Sequence, residues 1–575
     1  MSEIKNILIA TALSITVMIG WQTFTSSKNK TAAETEKVVQ IAEKMLSDSG
    51  ETIQNSLQNQ SIQSIKEIKK IEKLDPKAIL KVENEKISGI FSRQGLSFNE
   101  LTLKKYKETI EEGSPEVELL NRKDFSYYSD LSFTPTEDTN IELPNKMTIW
   151  EADSDVLTNE KPVTLTWANR EGIKFIVKIE LDNDYLFKIE RSVINSSLAP
   201  ISLNFSSKIH KEIDDKDLNG GVAHEGTVGF FNKELIKVSY SKLLKKDSLV
   251  LRSKDKNEKL SWIGFGDKYW LSSLIMNEKN TSVIARGDVD DNGRFVQIDS
   301  NFPKIINPNE EFSRTEYLFA GAKELALLDK YESEKGIIMF DHAVDFGSLY
   351  FITKPIFMLL QWIYKVFGNF GIAIMTLTLI IKFLLFPLTK KSVVSMAKMK
   401  KLQPRIDAIK EKYKDDKTRM NIEIVTLFKT EKISPFSSIL PMLLQIPVFF
   451  ALYKVLYITI EMRQATFFGW IKDLSARDSF NIFSIFDPLH LNVSHYFNLG
   501  ILSLILCGTM ILQQKMQPKP ATDNGQIAMI KWMPLIFMFI SASFPAGLLI
   551  YWSWNNIVSV FQQIFIEKVM IKDKS

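Results

Sequence analysis

Cysteine is almost missing from this 575-residue sequence: there is one, Cys507, and it lies in an apolar run. That excludes an intramolecular disulfide and a cysteine-rich metal site, so any soluble part must hold itself together by its core. Histidine is scarce too, five in all. His224-Glu225 lacks the second histidine that a zinc-binding helix needs, and no Gly-rich loop ending in Gly-Lys-Ser/Thr is present to cradle a phosphate. Gly220-Gly221 reads as a turn. With no catalytic constellation, the chain reads as a non-enzyme with no cofactor and no metal site. The net charge is small, +4, but it is unevenly spread. Residues 390–434 hold thirteen Lys or Arg against six Asp or Glu, which leaves that segment at +7.

Several apolar runs are separated by charged, soluble-looking sequence, which describes a membrane protein with a large soluble part. The run from Gly371 to Leu388 is long enough to cross a bilayer, and its strongly polar residues are Thr376, Thr378 and Lys382. A lysine inside a spanning helix costs roughly 2.5 to 3.5 kcal/mol, so it has a partner or lines a wet cavity. The alternative is that Lys382, about 9 Å of helix from the basic end, snorkels to the interface. Thr378, one turn back on the same face, argues for a polar stripe.

The amino-terminal run over 1–25 reads as an uncleaved anchor, because Trp21, Gln22 and Phe24 occupy the place of a cleavage site. Residues 26–77 are polar, with few aromatics, and read as a linker. From 78 to 335 the apolar period becomes two. In Gly172 to Leu181, Ile173, Phe175, Val177, Ile179 and Leu181 alternate with mostly charged neighbours, and Asp182-Asn183-Asp184 follows as a turn. That predicts one large β-sandwich domain. Residues 336–368 set Tyr350, Trp362 and Tyr364 among Lys354 and Lys365, as an interfacial helix would.

After the span at 369–389, residues 390–434 predict a basic helical hairpin with amphipathic arms turning at Lys414-Asp415-Asp416. Its alternative reading is a solvated charged face. Residues 435–566 hold four further spans, the first containing Pro441, Gln445 and Pro447; Gln445 is a second polar candidate. Forty apolar residues near the end would make a helix of about 60 Å, so they fold back at Phe544-Pro545-Ala546-Gly547. The tail, 567–575, is basic. Basic loops face the cytoplasm, which puts the hairpin and both termini inside and the β-domain outside.

The stretches FPLTKKSVVSMAKMKKLQPRI (Phe386 to Ile406), ISPFSSILPMLLQIPVFFALY (Ile433 to Tyr453), WIKDLSARD (Trp470 to Asp478) and MPLIFMFISASFPAGLLIYWSWNN (Met533 to Asn556) resemble the YidC/Oxa/Alb family of membrane protein insertases, in its Gram-negative form. The outer domain resembles the family's more loosely, through its position and its β pattern. The resemblance implies an α-helical polytopic membrane protein of six transmembrane segments, with a five-helix core around a hydrophilic groove and a periplasmic domain of β-supersandwich type. It puts Lys382 where such proteins carry an arginine, Thr378 on a groove threonine, and Tyr551-Trp552 where a tyrosine pair is common. Lysine keeps the charge but loses the planar fork, and the Trp552 indole only donates.

The implied function is insertion and folding of inner-membrane proteins without nucleotide hydrolysis. Lys382, Thr378, Gln445, Tyr551, Trp552 and Asn555 are the expected groove residues, and Lys398, Lys400, Lys401 and Arg405 the hairpin contacts. The implied partners are nascent membrane proteins, the ribosome and targeting factors, the Sec translocation channel and the lipid bilayer, with no sequence-specific nucleic acid. Two rival classes are a solute transporter, which would also explain an intramembrane lysine, and a membrane-anchored carbohydrate-binding protein, which would explain the sandwich but not the basic hairpin.

Overall fold

A computed structural model describes residues 78–123, 126–136, 141–218, 223–245, 248–253, 260–290, 293–431, 440–482, 499–517 and 524–571. The expected anchor (1–25) and linker (26–77) lie outside the described residues.

Alternating apolar residues build two antiparallel sheets that pack on each other, of ten and nine strands among the described residues, apart from one parallel pairing at an edge. In the strand Ile173–Leu181 every second side chain, from Ile173 to Leu181, is at most 4% exposed. Each such burial contributes about 1.5–3 kcal/mol. The following turn closes because the Asp182 Oδ1 accepts from the backbone N–H of Asp184 at 2.8 Å and of Leu186 at 3.0 Å. Between the sheets lies a buried cation, Arg191, on the strand Leu186–Asn195. It donates to the carbonyls of Ser132 (3.0 Å) and Ser206 (2.8 Å) in the other sheet and pairs with Glu316 at 2.7 Å. A buried ion pair of this kind adds little net stability, because desolvation of both charges offsets their attraction.

Helix α1, Leu325–Lys335, leaves the last strand and leads to the helical half. There follow α2 (Tyr350–Phe367), α3 (Phe370–Leu384), α4 (Phe386–Lys412), α5 (Lys417–Thr430), α6 (Leu440–Ile458), α7 (Ile501–Met516), α8 (Asn524–Ser541) and α9 (Ala546–Phe565). Gly368 ends α2 at φ 67, a left-handed backbone that glycine adopts without strain, and Asn369 then caps α3 by accepting from the Ile372 N–H at 3.1 Å. Phe351, Met358 and Trp362 are exposed along α2, while Phe357, Leu360 and Ile363 are buried. Between α3 and α4 the chain bends by 68°. Among the described residues no single helix is long and apolar enough to cross a membrane, though α3 and α4 together pass that test.

The two halves share one apolar core, which runs from the sheets through Leu328, Phe340 and Phe346 into α2, α3, α6 and α9. Polar contacts near the carboxyl end of α6 reinforce it. Asp345 bridges Lys237 of the β-domain (2.6 Å) and Lys454 of α6 (3.1 Å). Burial works against its charge, but the two ammonium groups hold the carboxyl well below the usual range. Past α6, Arg463 Nη2 donates to the carbonyls of Lys107 (2.6 Å) and Glu108 (3.2 Å), and Gln464 Nε2 also donates to that of Lys107 (3.0 Å).

Candidate functional site: a polar cavity among the helices

The cavity lies where α3, the start of α4, α6 and α9 converge. Helix α3 supplies Thr378, Ile381 and Lys382; Leu385, Leu388 and Thr389 follow at the bend; α6 supplies Gln445 and Val448, and α9 Tyr551 and Asn555. The empty space between them, counted to its open mouth, is about 440 Å³. Spacings of three and four along α3 put its contributions on one face, and Tyr551 and Asn555 are one turn apart on α9.

Lys382 sits in the last turn of α3, where the helix dipole favours a cation. Its Nζ donates to Ser559 Oγ at 2.7 Å, and that hydroxyl in turn donates to the Asn555 carbonyl at 2.7 Å. Among the described residues no carboxylate pairs with this ammonium. Gln562 Nε2 donates to the Lys382 carbonyl at 3.3 Å, and its Oε1 is buried without a partner. Thr378 is buried and its hydroxyl donates to the Ile374 carbonyl at 2.8 Å, so its oxygen reaches the cavity as an acceptor. The arrangement offers one cation, several hydroxyls and two amides to a polar or anionic chain, beside apolar walls.

Five of the six expected groove residues therefore meet: Lys382, Thr378, Gln445, Tyr551 and Asn555. Trp552 does not join them. It stands edge-on to Phe449 of α6 at 4.9 Å and to Phe537 of α8 at 5.4 Å. Its ring packs against those two helices, outside the cavity lining. Ser559, Gln562 and Thr389 were missed. Asn555, Ser559 and Gln562 repeat at four and three along α9, and that polar stripe is the signal that finds two of them.

In the hairpin, Lys398 and Lys401 are exposed, whereas Arg405 is exposed but already paired with Glu431 at 2.8 Å. Lys400 lies 3.7 Å from Glu567, just past α9. In the β-domain, His210 is buried and stacked on Tyr128, and burial pushes its imidazole down to about 4. Asp329, Glu332 and Asp341 converge next to α1. The ammonium of Lys354 already stands among them, 2.8 Å from Asp329 and 2.6 Å from Asp341.

Residues 79–359 match the family description YidC periplasmic domain, and residues 362–574 match 60Kd inner membrane protein. The membrane protein insertase YidC of Rickettsia bellii (strain OSU 85-389) is 41% identical over 572 residues, 99% of each chain. That of Rickettsia africae (strain ESF-5) is 41% identical over 571 residues, again 99% of each. A solved structure described as an active YidC insertase with its first transmembrane domain resolved is similar over 85% of this chain and 92% of its own, at 17% identity and a TM-score of 0.35.

Proposed function

This chain belongs to the YidC family of membrane protein insertases, and we propose that it inserts inner-membrane proteins and assists their folding through the cavity around Lys382. A polar tail of a nascent span enters from the cytoplasm and is solvated by Lys382, Thr378, Gln445, Asn555 and Ser559. Its apolar part moves into lipid along α6 and α8. The driving force is burial of the substrate's own apolar helix, which exceeds the cost of carrying a short polar flank once the cavity supplies water and charge. Nucleotide hydrolysis plays no part. The observation that carries this reading is an ammonium held inside the helices by a serine hydroxyl, facing a polar space.

The architecture we propose is six spans in the inner membrane, both termini in the cytoplasm, and a periplasmic β-supersandwich. Helices α3 and α7 have 15 and 16 residues. At 1.5 Å per residue they reach about 24 Å at most, short of a hydrocarbon core of about 30 Å. They would thin the bilayer locally and shorten the path of a polar tail. The ribosome and targeting factors would meet the basic hairpin, and the Sec translocation channel would be a lateral partner.

Reconstitution tests the reading. Liposomes holding this protein alone should insert a short single-span protein that empty liposomes do not. Equal insertion in both would end it.

A further inference from the structure

The hairpin of α4 and α5 has a core of its own, Leu402 and Ile406 against Ile424 and Phe428. The face of α5 turned away from α4 carries Ile422, 60% exposed, and Val425, 51% exposed, between exposed Arg419 and Lys429. Steps of three, three and four residues set these on one stripe. Together they form a narrow apolar stripe framed by cations, the pattern of a helix face that meets a membrane surface.

What covers it follows from where the hairpin lies. The 68° bend after α3 turns α4 closer to the plane of the bilayer than to its normal when α3 spans it. Lys400, 3.7 Å from Glu567, ties the base of the hairpin to the end of α9. The segment therefore runs along the leaflet rather than away from it, and its sequence carries an excess of seven positive charges. A nucleic-acid backbone offers phosphates and sugars but no acyl layer to receive two aliphatic side chains. An apolar pair framed by cations instead matches the boundary between headgroups and acyl chains.

We propose that the face formed by Arg419, Ile422, Val425 and Lys429 docks on acidic phospholipid headgroups of the leaflet that α3 enters. Docking lays the hairpin on the membrane beside Leu388 and Thr389 of the cavity lining. The proposal rests on the reading that α3 spans the bilayer, and it adds a lipid contact that insertion itself does not require.

The test uses the full-length chain carrying Cys507→Ser and Ile422→Cys, with a nitroxide at 422, in nanodiscs of neutral phosphatidylcholine with or without phosphatidylglycerol. Collisions with oxygen and with a water-soluble nickel complex report the label's surroundings. Acidic lipid should raise oxygen exposure and lower nickel access several-fold at 422, but not at a label on Ala408→Cys of α4. High salt, or Arg419→Glu with Lys429→Glu, should reverse the change. The same collision rates in both lipids would overturn the proposal. So would protection that appears only when ribosomes are added. Insertion of a single-span protein by the same preparations separates the two readings: lost docking with intact insertion rejects this contact alone, whereas absent insertion rejects the proposed function.

Discussion

Lys382 and Ser559, 177 residues apart in the sequence, meet at 2.7 Å, the ammonium donating to the hydroxyl. A snorkelling lysine would send its head out along the basic end of its helix. This one turns inward to α9, and Ser559 passes the contact on to the Asn555 carbonyl. The hydrogen bond orients the cation without neutralising it, so its charge stays available to an incoming polar chain.

Water access is the first consequence. Ser559→Cys, in a Cys507→Ser background, should react with a membrane-impermeant thiol reagent added from the cytoplasmic side. Leu379→Cys, exposed on the outer face of α3, should react poorly in a bilayer. Equal reactivity at the two positions would show that the cavity is not distinguished from the lipid face.

The hairpin lysines should divide by their pairing. Reversal of exposed Lys398 and Lys401 to Glu should weaken ribosome association, most clearly at low salt. Reversal at Arg405, which already pairs with Glu431, should matter less for binding. Cosedimentation across salt concentrations checks this, and unchanged binding throughout would return the segment to a solvated face.

Among the described residues, none of the β-domain lines the cavity. Deleting most of 78–318 should therefore leave reconstituted insertion largely intact. It should also lower thermal stability, because the deletion removes the acceptors of Arg463 at Lys107 and Glu108 and part of the shared core. Complete loss of insertion by a stably folded deletion variant would make the domain essential.

The junction should respond to pH through Glu461. Its Oε2 is buried without a partner, and burial, with the charge of Glu324 behind it, pushes the carboxyl from 4.5 up to about 7. The docked state thus holds the proton more tightly than a separated one. Its stabilisation is full below pH 4.5, fades as pH rises to about 7, and is flat beyond. Thermal midpoints measured between about pH 5 and about pH 8 should fall, and Glu461→Gln should flatten that profile. A profile that is the same in the variant would place the titration elsewhere.

The sheets were legible because strands buried on one face write a period of two, as Ile173 to Leu181 do. Lys382 was legible because a charge in an apolar run is costly. Ser559 and Gln562 were legible only as a stripe with Asn555, at steps of four and three, and that Ser559 receives the Lys382 ammonium depends on a partner helix far away in sequence. Trp552 shows the converse. The family resemblance, which puts a tyrosine pair at these two positions, made it an expected groove residue, and in the fold its ring stands against Phe449 and Phe537 instead. The separate core of the hairpin could be read from its spacing, but the contact of Lys400 with Glu567 depends on how two distant elements meet.

The charge of Lys382 is tested most directly by inserting a single-span protein with an acidic tail into liposomes that hold only this protein and its variants. Lys382→Arg should insert nearly as well as the parent, and Lys382→Ala should lose more with acidic than with neutral tails. Lys382→Glu should be worst, by on the order of tenfold or more, because attraction becomes repulsion at the same site. Normal insertion of the acidic-tailed protein by folded Lys382→Glu protein would contradict the account.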